Sequence, residues 1–161
     1  MYNTANMDAL ATAMIGLVSL VNSPRRDHIL LREAGVELDR ALFALLVMLD
    51  RTGACSVGDL ADSVGRDSTT VSRQLARLEA RGLVARTPSP SDRRVRFVGL
   101  TAGGDEVVGR ITAARRRLLS RALADWSATD VRSLADLTAR LATALGGPGD
   151  DAPPLPGQRP A

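Results

Sequence analysis

The chain has 161 residues, 45% of them hydrophobic and only 2% aromatic, and carries a net charge of +3. That length reads as one domain with enough aliphatic content to bury a core, and a single cysteine excludes an internal disulfide framework. No apolar run is expected to approach the roughly 20 residues needed to cross a bilayer, and the N-terminus lacks the basic start and apolar block of a signal peptide, so the expectation is a soluble, cytoplasmic protein with no membrane partner.

From the N-terminus, Met7, Leu10, Ala11, Met14, Leu17, Val18 and Val21 recur at spacings of three and four, which predicts an amphipathic helix over residues 7–21. Asn22, Ser23 and Pro24 end or kink it. A short helix over 25–34 follows, stopped by Gly35. Residues 39–51 then read as a helix apolar nearly all round, through Leu42, Phe43, Leu45, Leu46 and Leu49, the buried scaffold of what comes next.

Residues 56–100 carry the densest pattern. Ser56 with Asp59 opens a helix in the manner of a capping box, Val57, Leu60, Ala61 and Val64 face inward, and Gly65 supplies a tight turn. Asp67 is placed to cap a second helix of about 14 residues, ended by Gly82 and long enough to lie in a major groove. Val71, Leu75 and Leu78 form its apolar stripe, leaving Ser68, Thr69, Thr70, Ser72, Arg73 and Arg77 for another partner.

Residues 83–87 and 95–100 are rich in branched and aromatic side chains, and the loop PSPSDRR between them (88–94) is dense in turn formers. The prediction is a two-stranded hairpin with Arg93 and Arg94 at its tip and Arg96 on the returning strand. A protruding guanidinium can enter the minor groove, where the negative potential is deepest. From residue 66 to 96, eight arginines stand against Asp67, Glu79 and Asp92, a net of +5 in a chain whose total is +3. All 21 basic residues are arginine, a compositional bias that explains the residue type but not the clustering.

Thr101 is placed to cap a long helix to about residue 124, with Val107, Ile111, Ala114 and Leu118 on one face. Ser127 and Asp130 open another, carrying Val131, Leu134, Thr138, Leu141 and Leu145 at seam-like spacing. A winged helix of about 65 residues can fold without these helices, so the terminal ones need another partner, and a second copy of the chain is the economical one. Residues 146–161, with proline, glycine and two acids, offer nothing to bury and read as a disordered tail.

Helix, turn, helix and basic hairpin together resemble the core of the MarR (multiple antibiotic resistance regulator) family. The resemblance rests on TTVSRQLARLEARGLV, on Asp92-x-Arg94, and on Leu100-Thr101 followed by Gly104, and extends loosely over about 140 residues. It implies a mainly α fold with a small β-hairpin wing: a winged helix-turn-helix flanked by dimerisation helices, with 7–35 and 101–145 as dimer arms and 39–100 as the DNA-binding lobe of a single domain, 1–145. It also implies that Arg94 reaches the minor groove while Asp92 braces the wing. Finally, it implies an effector, a small aromatic anion or phenolic compound, held between dimer helices and lobe, that changes the spacing of the two recognition helices.

Alternative readings bound the rest. Some members of that family sense peroxide through a cysteine in the first helix; this chain has none there, and Cys55 beside Ser56 reads as structural. His28 is the only histidine, so no metal cluster can form around it. Trp126 is expected in a core between the last two helices, and Arg115, Arg116 and Arg117 on a solvated or salt-bridged face. No G-x-S-x-G, Walker glycine loop or H-E-x-x-H is present, and one His and one Cys make no acid–base pair, so neither enzyme chemistry nor a cofactor is expected. The reading is a homodimeric regulator of transcription, a repressor of a pseudo-palindromic operator in double-stranded DNA. A winged helix serving as a protein-interaction or architectural module is the alternative, separable by whether random duplexes yield an enriched motif.

Overall fold

The computed structural model describes residues 3–88 and 96–146. Among these residues seven helices and three strands run in the order α1 (Thr4–Val21), α2 (Pro24–Ala34), α3 (Arg40–Thr52), β1 (Cys55–Ser56), α4 (Val57–Ser63), α5 (Ser68–Ala80), β2 (Val84–Pro88), β3 (Arg96–Leu100), α6 (Ala102–Ala122) and α7 (Ala128–Leu145).

Helix boundaries follow side-chain caps. The hydroxyl of Ser56 accepts from Asp59 N at 3.1 Å, Asp67 Oδ1 from Thr70 N at 2.8 Å, Thr101 Oγ1 from Gly104 N at 3.1 Å and Ser127 Oγ from Asp130 N at 3.1 Å. Each satisfies one of the amide hydrogens that a first turn leaves without an intrahelical partner. Asp39 does the same for α3 through Leu42 N, and Ser23 for α2, whose Pro24 stands at a position where a missing N–H costs nothing. Gly65 and Gly82 hold φ of 63° and 69°, left-handed values that let the chain turn sharply on either side of α5.

The hairpin is part of a larger sheet than expected. β2 and β3 pair antiparallel from Val84 opposite Leu100 to Pro88 opposite Arg96, and β1 adds a third strand on the far side of β3, with Cys55 opposite Val98 and Ser56 opposite Phe97. The order is β1-β3-β2. Two residues are too few to show an alternation, so β1 left no periodic signal.

Leu42, Leu45, Leu46 and Leu49 of α3 meet Leu60 and Ala61 of α4, Val71, Leu75 and Leu78 of α5, and Val84 and Val98 of the sheet in one aliphatic cluster. A second gathers Leu31 and Ala34 of α2, Phe43 on the other side of α3, and Ile111 and Ala114 of α6. An α3 apolar nearly all round is thereby used on two faces. On α6 Val108 is buried in the first cluster, while Val107, only partly buried, packs against the second beside Ile111 and Ala114.

The ends of the chain differ from the lobe. No residue of α1 or α7 is buried. Leu17 is 58% and Leu137 58% exposed, and Trp126, expected in a core, is 49% exposed beyond the end of α6. Helix α1 is also not simply amphipathic, because Ile15 and Leu20 are apolar and exposed outside the predicted stripe. Its 18 residues have a mean hydropathy of 1.4, long and apolar enough by length and composition to cross a membrane, contrary to the sequence expectation.

Candidate nucleic-acid interface

Helix α5 is fixed from beneath by Val71, Leu75 and Leu78, all with no exposed surface. That leaves Ser68, Thr69 and Arg73 exposed and Thr70 and Ser72 half-buried along the edge. Hydrogen bonds from Thr70 hold the Asp67 carboxyl below the usual carboxylate range, so the cap is charged at neutral pH. Arg73 has no ion-pair partner among the described residues.

Other members of the predicted set are engaged within the protein. Ser72 accepts from Arg86 Nη2 of β2 at its carbonyl, 3.2 Å, and its hydroxyl, 3.5 Å, and Arg86 Nε lies 3.5 Å from Glu79. The wing's first strand is thereby tied to the recognition helix. Arg77 Nη2 sits 2.7 Å from Asp39 Oδ2, at the N-cap of α3. Arg96 is exposed at the start of β3, opposite Pro88. Asp92, Arg93 and Arg94 lie outside the described residues.

Four residues outside the predicted set frame the same surface. Arg86 is one and Asp39 another; Arg81 Nη1 donates to Glu37 O at 2.7 Å, and Arg66 Nη1 to Gln74 Oε1 at 3.2 Å. The Arg81 contact joins positions 44 apart in sequence, so no local spacing could have announced it. Leu42 N–H, followed by Arg77, holds the Asp39 carboxyl below its ordinary range despite a desolvation cost that opposes it.

Cys55 lies beside this surface rather than on it. Burial pushes its thiol up, with the charge of Asp59 adding to the shift and the Thr52 hydroxyl opposing it. A thiol so shifted yields little thiolate near neutrality, which argues against a reactive sensor. Of the arginine run on α6, Arg117 is salt-bridged to Glu33 at 2.8 Å and Arg116 is exposed.

A three-helix lobe with a paired hairpin wing, and a recognition helix presenting hydroxyls and a guanidinium, defines a winged helix-turn-helix of the DNA-binding class. The MarR family sequence model matches residues 38–95. The chain is 34% identical over 104 residues to the uncharacterized HTH-type transcriptional regulator YxaD of Bacillus subtilis, covering 65% of this chain and 73% of that one. It is also 34% identical over 109 residues to YdgJ of the same organism, another uncharacterized HTH-type transcriptional regulator, covering 68% of this chain and 66% of the relative. A MarR family protein of Bacillus stearothermophilus superposes with a TM-score of 0.76 over 91% of this chain and all of its own (100%), and at 19% identity it speaks for the fold alone. The chain belongs to the MarR family, whose members are DNA-binding transcriptional regulators and not enzymes.

Proposed function

We propose that the protein is a cytoplasmic, homodimeric repressor that binds a pseudo-palindromic operator and is released by a small aromatic or phenolic effector. The observation that carries the DNA reading is α5. Its buried stripe is complete, and Ser68, Thr69 and Arg73, which has no ion-pair partner among the described residues, remain at the surface with Thr70 and Ser72 at the edge. In a major groove these side chains read base edges, an arginine pairing with guanine above all. Arg93, Arg94 and Arg96 supply the wing, with Arg94 in the minor groove and Asp92 bracing it, as the family resemblance implies. Phosphate contacts set affinity and its salt dependence; α5 sets sequence.

Dimerisation is supported by α1 and α7. Leu10, Leu17 and Leu20 of α1 and Leu134, Leu137 and Leu145 of α7 are exposed among the described residues, and a second copy presents the same surfaces in return. A twofold pair would ask for half-sites roughly 34 Å apart, about one turn of the duplex. A dimer seated over a promoter excludes polymerase, which makes repression the direct outcome.

For the effector, a cavity of about 390 Å³ lies between α2 and the following loop, lined by His28, Leu31, Arg32, Val36 and Leu38 among others. It is an open depression in which Leu31, Val36 and Leu38 offer apolar contact and His28 and Arg32 can face an anionic group, with the Glu37 carboxylate also on its lining.

In vitro selection from random duplexes tests the whole. Enrichment of a twofold motif is the expected result, and no enrichment would leave an architectural or protein-binding module. Arg94→Ala should weaken binding to many sequences and lessen the salt slope by about one; unchanged affinity and slope would remove the wing assignment. A chain that stays monomeric, or floats with lipid vesicles through α1, would overturn the dimer.

A further inference from the structure

Arginines on the two halves of α5 are placed differently. In the first half Arg73 is exposed without an ion-pair partner among the described residues. In the second, Arg77 and Arg81 both reach the loop between α2 and α3: Arg77 to the Asp39 carboxylate at 2.7 Å, and Arg81 to the Glu37 carbonyl at 2.7 Å. Asp39 divides its oxygens, Oδ1 capping α3 through Leu42 N at 3.0 Å and Oδ2 taking Arg77.

The other end of this loop is held as firmly. Arg110 of α6 donates to Ala34 O at 2.9 Å and also to Gly35 O. Between the two anchorages, Gly35, Val36, Glu37 and Leu38 form one wall of the cavity on His28 and Arg32. Residues 35–38 therefore line the cavity, and Glu37 and Asp39 of the same short segment hold the C-terminal half of the recognition helix.

We infer that residues 35–39 are a positioning strap for α5: Arg77 and Arg81 act on DNA binding through the strap rather than by touching the duplex, and an occupant of the cavity reaches α5 by displacing the strap. The inference rests on the DNA-binding reading above. It assigns Arg77 a role different from its neighbour Arg73, although spacing alone puts the two on one face. It also names a physical element, with two discrete anchors, through which a ligand can bias α5.

A double-mutant cycle on operator affinity tests the first half, using the full-length chain and the duplex recovered by selection. Asp39→Asn keeps an oxygen to cap α3 but removes the charge that holds Arg77. If Arg77 is a positioning residue, Arg77→Gln and Asp39→Asn each weaken binding by about tenfold, and the double variant is no worse than either single one. The salt slope stays at the parent value, and Arg77→Lys recovers most of the affinity. A direct phosphate contact gives the opposite result: Arg77→Gln lowers the slope by about 0.9, and Asp39→Asn tightens binding by freeing a cation and removing an anion. That result overturns the inference.

The second half is tested without knowing the effector. In a Cys55→Ala background, His28→Cys is labelled with a benzyl thiosulfonate, which tethers an aromatic group at the cavity. Labelling should lower operator affinity about tenfold or more with the strap intact, and leave it unchanged when Asp39→Asn and Arg81→Gln are added. The same loss with the strap cut, or no loss with it intact, would overturn the lever. If free salicylate fails to bind the unlabelled protein, the effector reading falls while the tethered group still decides the strap. If the parent chain binds no duplex at all, both fall.

Discussion

Gly104 is the position where one methyl group should do most damage. It lies in the first turn of α6, against the turn that joins α5 to the wing. A Cβ there would stand 2.1 Å from the carbonyl oxygen of Leu83 and 3.2 Å from Leu100 Cδ2. Ordinary carbon–oxygen approach stops at about 3.3 Å, so α6 must retreat by roughly 1 Å. The obstacle is backbone and cannot swing aside. Retreat stretches two bonds that latch α6 to the turn, Thr101 Oγ1 to Gly82 O at 2.5 Å and Thr101 N to Leu83 O at 3.1 Å. Overpacking of this kind costs roughly 1–3 kcal/mol, and two weakened hydrogen bonds add about 1 kcal/mol each. Alanine returns at most about 1 kcal/mol of helix propensity, so the net loss for Gly104→Ala is about 3 kcal/mol. For a chain of this size that lowers the melting temperature by roughly 6–12 °C. Gly109, in the same helix with nothing within 4 Å of its would-be Cβ, is the internal control. Gly109→Ala should hold or raise stability by up to about 1 kcal/mol. Thermal unfolding followed by circular dichroism at fixed protein concentration reads both. A Gly104→Ala protein that melts with its parent would show that α6 does not sit where the contact places it.

Arg73→Ala should alter which duplexes are enriched rather than weaken all equally, because a bidentate contact to guanine is worth about 1–3 kcal/mol of discrimination; an unchanged motif with uniformly lower affinity would make Arg73 a phosphate contact. Leu137→Glu, on the exposed side of α7, should shift the chain toward monomer in sedimentation equilibrium while leaving helical content intact, and an undisturbed dimer would move the interface elsewhere. In acid, Glu33, held low first by Arg117 and then by Arg121, joins Asp39 and Asp67 as carboxyls depressed in the folded state. Their contribution is complete above the unfolded carboxylate range, roughly pH 4, and is lost as pH falls through the lower folded values. Stability should therefore be flat from neutrality to about pH 5 and fall below about pH 4, more shallowly in Asp39→Asn; equal acid limbs for parent and variant would show that the Asp39 carboxylate contributes nothing.

Local signals carried much of this architecture, for a physical reason. A cap needs a side chain two or three residues from the amide it satisfies, so Ser56, Asp67, Thr101 and Ser127 are visible in sequence and found as caps in the structure. The two-sided use of α3 follows from leucines placed nearly all round it. What escaped was non-local or very short. Strand β1 is two residues long. The ties of Arg77 to Asp39, Arg81 to Glu37 and Arg110 to Ala34 join distant segments through flexible side chains, whose reach leaves no period. Trp126 is expected in a core because large aromatic rings usually are, yet among the described residues it is 49% exposed. In α1 the stripe of residues 7–21 is accompanied by Ile15 and Leu20 off the stripe, and it is such residues that decide whether a helix has a polar face at all.

Helix α6 explains how these parts act together. Its first turn is latched to the end of α5 by Thr101, and Ile111 and Ala114 in its middle share a core with Leu31 and Ala34 of α2. Further along, Arg117 and Arg121 close on Glu33, so that cations meet the last turn of α2, where unpaired carbonyls concentrate negative potential. At 21 residues α6 is a rod of about 30 Å. A close-packed aliphatic core resists continuous deformation, so the lobe cannot bend smoothly against this rod. Any change in the pose of α5 has to be a discrete shift, and it will concentrate where polar ties rather than packing make the joint. The strap between α2 and α3 is such a joint: Arg110 holds one end, Arg77 and Arg81 the other, and the cavity opens against the segment between. If the chain pairs as the proposed twofold dimer, the same rotation at the joint of each protomer would alter the separation of the two recognition helices, the quantity that a duplex of fixed pitch reads.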